Sequence, residues 1–560
     1  MQKSCTHCGK DFPIEDMDLV FYEKVSPTFA GKKYIIPPPT LCPACREQRR
    51  MSFRNDRFYY SRSCDLCKKP MLSLFHPSHP GKVYCNVCWW SDQWDPLSYG
   101  RNFDFSRPFF EQFKELCDAV PRITMVNDNG VQSQNCEYTS DFALGKNAYM
   151  VLCSWYVEDS MYGYQTNWVK SSVDNLYLLR SELMVETVTC ESCYQCSHSQ
   201  QLKDCAECIF GYDLINCQNC LLSAGLRNKQ YCIWNQQYSK EEYFKHLESF
   251  NLGSWSSVQN LKKQFAEFIL GIPRKYANLI QCEDSTGDNL KRCKDSKECY
   301  NQSELHMCKF MTSGDKAVDC YDCNSTGNPE LCYEALTPDN GYMNAFTADC
   351  WNAKYLLYCN QCHNSQNLFG CSGLKKNQYC ILNKQYSKEE YEALLPRIID
   401  HLKATGEWGE FFPAALSPFA YDETPALEWH PLPQGEAEKL GYRWRGEDSG
   451  SKGKETVQWA EVPDHIKDAP ETLPKEILAC QECSKNYRLT KEEFEYYKRH
   501  ILPIPRFCPN CRHKHRWQKL NPKKLWPRTC TRCQNPVQST YAPDRPERVY
   551  CEDCYLREVY

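Results

Sequence analysis

At 560 residues, with 42% hydrophobic and 13% aromatic side chains, the chain is too long for one ordinary domain and too apolar for wholesale disorder. Its 39 cysteines are an odd number in a chain far longer than disulfide-stapled secreted scaffolds, which argues against that class. The net charge of −4 hides a partition, with +6 on residues 1–90, −18 on 91–479 and +8 on 480–560, so the basic ends suit something anionic.

The N-terminal stretch, 1–95, reads as a tandem pair of zinc ribbons. Cys5 and Cys8 pair with Cys42 and Cys45, then Cys64 and Cys67 with Cys85 and Cys88. Each pair is C-x2-C, a turn that brings two sulfurs to one metal, and two pairs make a tetrahedral thiolate set. The same geometry can hold iron, so zinc against iron stays open at this point. The opening residues, Met1-Gln2-Lys3-Ser4-Cys5, carry no apolar signal segment, and no run of about 18 apolar residues predicts a membrane span. A reducing, cytoplasmic setting is the expectation.

The middle reads as two cysteine-rich modules, 105–250 and 258–403. Gln230-Tyr-Cys-Ile233 and Gln237-Tyr-Ser-Lys-Glu-Glu-Tyr243 recur at Gln378–Ile381 and Gln385–Tyr391, 148 residues on. Ser239 with Glu242, and Ser387 with Glu390, form capping boxes, so each module is predicted to close with a helix. Cys190, Cys193, Cys196, Cys205, Cys208, Cys217, Cys220 and Cys232 are separated by multiples of three, as are the eleven cysteines from Cys293 to Cys380. Repeats at 12 recur, as in Cys196, Cys208, Cys220 and Cys232, and in Cys308, Cys320 and Cys332. Ser199, Leu202, Leu214, Ser223 and Leu226 share the first register, and Leu356, Ser365, Leu368 and Leu374 the second. Small or apolar residues at a fixed period suit the inside of a β-solenoid, where cysteine acts as a small buried hydrophobe. The alternative is more metal: an iron–sulfur cluster begun by Cys190-x2-Cys193-x2-Cys196, or extra zinc with His198 or His363. The cluster motif lacks its fourth ligand at the required spacing.

Residues 404–475 read as a linker rich in Pro, Gly and charge, as in Gly446–Lys454, with the islands Ser417–Thr424 and Gly441–Trp444 expected to dock on a neighbour, the solenoid among the candidates. Residues 476–560 then repeat the ribbon pair. Cys480 and Cys483 pair with Cys508 and Cys511, and Cys530 and Cys533 with Cys551 and Cys554. Residues 42–88 align without a gap on 508–554 at an offset of 466, with 17 identities that include Arg46/Arg512, Arg50/Arg516, Asn55/Asn521 and Arg62/Arg528. Thr490 and Glu493 predict a capping box for a short helix. Residues 496–543 hold 11 Lys and Arg and no acid. Arg512, Arg516, Lys523, Lys524 and Arg528, with Arg46 and Arg50 of the first copy, are the candidate contacts to RNA or DNA, since cations neutralise phosphates and interleaved aromatics stack on bases. The competing reading is a basic face that contacts the acidic middle of the same chain or a protein partner.

Cys88-Trp-Trp-Ser-Asp-Gln-Trp-Asp-Pro96, the repeated Gln-Tyr-Cys-Ile and Tyr-Ser-Lys-Glu-Glu-Tyr, and Tyr541-Ala-Pro-Asp-Arg-Pro546 together resemble a bacterial family of multi-zinc-ribbon proteins, over nearly the whole chain. The resemblance implies architecture and no activity. Some members bear a class III coenzyme-A transferase label, which the absence of a Rossmann-type glycine loop and of α/β alternation here does not support.

The expected fold is therefore mainly β with short helices: tandem four-cysteine ribbons at both ends of a duplicated, cysteine-rich, β-solenoid-like middle. The expected function is zinc binding, four ions in all, without catalysis and with RNA or DNA as partner. The alternatives are a protein-interaction scaffold and a metal-handling or iron–sulfur protein that uses the inner cysteines. No HExxH, nucleophile elbow or phosphate loop points to an enzyme.

Overall fold

The computed structural model describes the chain apart from residues 129, 177, 179, 315–320, 327–330, 337–340 and 447–449, and apart from the side chains of 312–314 and 325–326. Cys320 and part of the Gly446–Lys454 segment thus lie outside the described residues. Strands and short helices dominate, and the chain sorts into two compact units that interleave along the sequence. One unit gathers Met1–Met125, Ala277–Glu447 and Lys523–Leu525, and the other gathers Val126–Tyr276, Asp448–Pro522 and Trp526–Tyr560. Each unit therefore joins one ribbon pair to the cysteine-rich module distant from it in sequence.

Within each module, short strands pair in parallel at an offset of 12, except where the second module opens with Leu279 on Leu290, at 11. Ser140 pairs with Leu152, Lys146 with Glu158, Gln200 with Tyr212 and Gln218 with Gln230. In the other module Gly287 pairs with Cys299, Ala345 with Leu357 and Gln366 with Gln378. Each ladder ends in an antiparallel hairpin, Gln230–Ile233 with Gln236–Gln237 and Gln378–Ile381 with Lys384–Gln385. The helices Lys240–Ser249 and Lys388–Ala404 follow, each opened by its predicted capping box.

A three-residue rhythm explains the sequence. From Asp204 to Asn219, every third residue (Asp204, Glu207, Phe210, Asp213, Asn216 and Asn219) has φ between 50° and 54°, the left-handed region. The next residue points inward and the third forms the parallel bridge. A left-handed L-residue costs about 1–2 kcal/mol and is worst for β-branched side chains. Among the described positive-φ corners of this ladder Thr189 is the one β-branched residue, with no Val or Ile.

The inward positions need small groups that satisfy local backbone. Ser199 Oγ donates to Ser197 O at 2.8 Å and accepts Gly211 N–H one rung on, also at 2.8 Å. Ser154 does the same with Leu152 O and Thr166 N–H. Cysteine thiols repeat the first bond, as in Cys205 to Lys203 O at 3.2 Å, Cys208 to Ala206 O at 3.3 Å and Cys371 to Phe369 O at 3.4 Å. The result is a narrow core of Cys and Leu in each ladder, in which Leu202, Leu214, Leu356, Leu368 and Leu374 are all buried.

The stretch 404–475 is packed rather than extended. Trp408, Phe411 and Phe412 join the core around the helix Phe109–Ala119, and Val462, Ile466 and Leu473 join the core around the C-terminal ribbon. The two islands meet each other and the N-terminal ribbon. The Tyr421 and Tyr442 rings meet at a tilt of 50° with centroids 4.7 Å apart, and the Tyr421 hydroxyl accepts a hydrogen bond from Gln48 at 2.8 Å. Their dock is the ribbon helix Pro43–Met51, because that helix offers a polar partner for the buried phenol.

Candidate metal centres

Four cysteine sets stand out, and they are the sixteen expected residues. Cys5/Cys8/Cys42/Cys45, Cys64/Cys67/Cys85/Cys88, Cys480/Cys483/Cys508/Cys511 and Cys530/Cys533/Cys551/Cys554 each bring four sulfurs within 4.8 Å of one another. The Sγ–Sγ contacts are 3.8 Å for Cys8–Cys42, 3.9 Å for Cys67–Cys85 and 3.7 Å for both Cys483–Cys508 and Cys533–Cys551. A tetrahedron with metal–sulfur bonds of about 2.3 Å has edges of about 3.8 Å. The spacing therefore fits a shared metal ion and is far too long for disulfides.

Local structure prepares the thiolates. The third cysteine of each set is the N-cap of a helix: Cys42 for Pro43–Met51, Cys85 for Asn86–Trp90, Cys508 for Pro509–Trp517 and Cys551 for Glu552–Val559. The fourth lies in the first turn, so both sulfurs sit at the positive end of a helix. Pro43 and Pro509 occupy N1, where no N–H is needed. The first cysteine of a set accepts backbone N–H groups, as in Cys85 N–H to Cys64 and Cys508 N–H to Cys480, both at 3.3 Å. Burial opposes ionisation of Cys64, but the N–H groups of Cys85, Cys67 and Leu66 outweigh it and bring its thiol down to about 7. The same balance, with Cys533, Cys551 and Arg532, brings Cys530 down to about 6. With one metal ion bound, each set would be a closed shell of four sulfurs with no open coordination position.

The inner cysteines are different. Among the described residues no further group of three metal-binding side chains converges. Burial pushes the thiols of Cys190 and Cys299 up, which favours the neutral form that donates to carbonyls. His363 is buried between Trp89, Trp90 and Trp351, with ring centroids 5.5, 5.6 and 3.8 Å away, and His198 Nδ1 lies 3.0 Å from Glu186.

The basic candidates are mostly inside their units. Arg46 Nε lies 2.6 Å from Asp322 Oδ2, and Arg50 Nε donates to Asn324 at 2.7 Å with Asp322 at 3.5 Å. In the other unit Arg512 lies 2.5 Å from Asp174 and 3.0 Å from Glu493, and Arg516 lies 3.2 Å from Asp174. These four arginines are 4% exposed or less. Lys523 pairs with Glu47 at 3.0 Å and sits 3.9 Å above the Trp429 ring. Arg528 donates to Ala542 O at 2.6 Å, and Lys524 is exposed. Glu493 itself departs from the expected capping box: Thr490 caps the helix Lys491–Arg499, but the Glu493 carboxylate turns inward to Arg512, Tyr162 and Tyr497. The sequence missed the acidic partners Asp174 and Asp322, because each lies at a ladder corner where Asp is also an ordinary turn residue.

Among the described residues no helix is long and apolar enough to cross a membrane. No protein-family model matches this chain, and no curated protein matches it either.

Proposed function

We propose that this chain is a zinc-dependent scaffold, a member of the multi-zinc-ribbon family it resembles, in which each zinc-ribbon pair clamps one β-solenoid. The parallel ladders at a 12-residue offset and their inward Cys and Leu rows support the solenoid reading. The sulfur spacing and all-thiolate donor set support zinc. Bound zinc would supply folding energy to ribbons too short to build a core, with Cys5 through Cys554 as the sixteen ligands.

The observation that carries the scaffold reading is the use of the ribbon arginines. Arg46, Arg50, Arg512 and Arg516 are neutralised by carboxylates and amides of their own unit, so they fasten ribbon to ladder. A buried guanidinium already paired has nothing to offer a phosphate. The outward faces are then left for protein partners, and RNA or DNA binding becomes the second reading.

Elemental analysis of the purified chain tests the metal, with four zinc and no iron expected. Fluorescence anisotropy with labelled single-stranded RNA and duplex DNA tests the rest. The scaffold reading expects nothing tighter than the roughly 10⁻⁴–10⁻⁶ M of non-specific contacts at physiological salt. Nanomolar, salt-dependent binding would establish the nucleic-acid reading instead.

A further inference from the structure

The unit built on Val126–Tyr276 contains a cavity of about 220 Å³. Its apolar wall includes Val185 and Ile209 of the ladder, Leu247 of the helix Lys240–Ser249, Val258 of the helix Trp255–Leu270, and Leu502. A dry apolar cavity of about 150 Å³ accepts a benzene ring, so this space takes a ring or short branched chain plus a small head group.

One edge of the cavity is polar. Gln195, Glu207 and Asn219 are left-handed corners of successive rungs, with φ of 53°, 54° and 50°, and so stack in one column. Asn219 is 6% exposed, yet its side-chain amide forms no hydrogen bond within the unit. His500 also lines the cavity, and its Nε2 is buried without a partner. A polar group left without a partner is costly, at about 1–3 kcal/mol, unless something bonds to it. The charge is equally specific: Glu207 lines the cavity and no Lys or Arg does. An anion would meet a carboxylate and no counter-charge.

The duplicated module keeps the asparagine of this column, as Asn367 with φ 54°, but not its neighbours. At the offset of 148, Gln195, Glu207 and His198 are replaced by Met343, Tyr355 and Phe346, and Phe346 stacks on Tyr358 at 4.8 Å. Gln195 and Glu207 thus belong to one copy, and the ladder does not need them in order to form.

We propose that this cavity is a binding site for a small, uncharged molecule with an apolar body and an amide head, the amide exchanging hydrogen bonds with Asn219 and Glu207. The site goes beyond the scaffold reading and does not depend on it. The test uses benzamide as the probe and benzoate as its anionic match, each titrated into the full zinc-loaded chain and followed by saturation-transfer NMR. Benzamide should give a saturable signal at millimolar concentration or below, with benzoate at least tenfold weaker. Asn219→Leu should weaken benzamide at least tenfold; leucine already occupies this corner column at Leu183. Leu247→Trp, on the exposed helix that lines the void, should abolish binding by filling it, and covers the case in which Asn219→Leu fails to fold. Absence of saturable benzamide binding, equal binding of benzoate, or unchanged binding in the folded variants would each overturn the proposal and leave a cavity that holds only water.

Discussion

Arg512 Nε lies 2.5 Å from Asp174 Oδ2, and Arg46 Nε lies 2.6 Å from Asp322 Oδ2. The arginines are 466 residues apart, the ribbon offset, and the aspartates 148 apart, the module offset. The correspondence extends outward. Arg512 lies over the ring of Tyr162 and Arg46 over that of Phe310, and Arg227 meets Tyr555 as Lys375 meets Trp89. Each pair obeys the same two offsets, so what was duplicated is the ribbon-to-ladder contact as well as its parts.

Arg512→Ala leaves Asp174 and Glu493 buried with their main counter-charge gone. Breaking a buried pair in this way costs about 3–5 kcal/mol. Denaturant unfolding should show that loss, and Asp174→Asn added to Arg512→Ala should restore part of it. Arg46→Ala should behave alike through Asp322. Equal stability of wild type and either single variant would refute the clamp.

On the proposed zinc occupancy, Cys530→Ser should lower bound zinc from four ions to three, because Cys530 belongs to one of the four-cysteine sets. Cys208→Ser should leave all four, because Cys208 donates to Ala206 O as Ser199 does to Ser197 O. Its cost in stability should stay near 1 kcal/mol, the net worth of an ordinary hydrogen bond. Metal analysis and thermal unfolding of the two variants separate ligand from core.

Gln201 holds φ 55° at a corner of the first ladder. Gln201→Val forces a β-branched residue into that region and should cost about 1–3 kcal/mol. Gln201→Gly should be tolerated, since glycine adopts the conformation freely. The order of their unfolding midpoints checks the three-residue rhythm.

Burial brings the His363 imidazole down to about 3. The unfolded chain takes up this proton near the ordinary value of 6.5, and the folded chain refuses it. Stability is therefore full above pH 6.5 and falls as pH drops from there toward 3, by about 1.4 kcal/mol per unit. His363→Phe removes that proton and suits a pocket of three tryptophans. Between pH 6.5 and 4.5 the variant should lose about 2 kcal/mol less stability than wild type, a difference that cancels acid release of metal common to both. Parallel stability curves would rule this out.

The ribbons were fully legible in the sequence. A C-x2-C turn brings two sulfurs together through local geometry, and a gapless repeat at offset 466 marks the two copies. The inward registers of the modules were legible for the same reason: a period of three with repeats at 12 is a local rule, and each rung meets only its neighbours. The capping boxes at Ser239 and Ser387 depend on four consecutive residues and formed as expected. The box at Thr490 formed by half, because a buried carboxylate chose a guanidinium over a backbone N–H.

By itself, then, the sequence determined the sixteen cysteines, the repeat and the excess of basic charge at the ends. Tertiary structure alone decided where that charge is used. Arg512 and Asp174 lie 338 residues apart, and no periodicity links them. Pattern shows that a side chain is charged; only packing shows whether it faces water or a carboxylate. Here burial at 4% exposure or less forces the pairing, since an unpaired charge inside a folded unit costs more than the chain can spare.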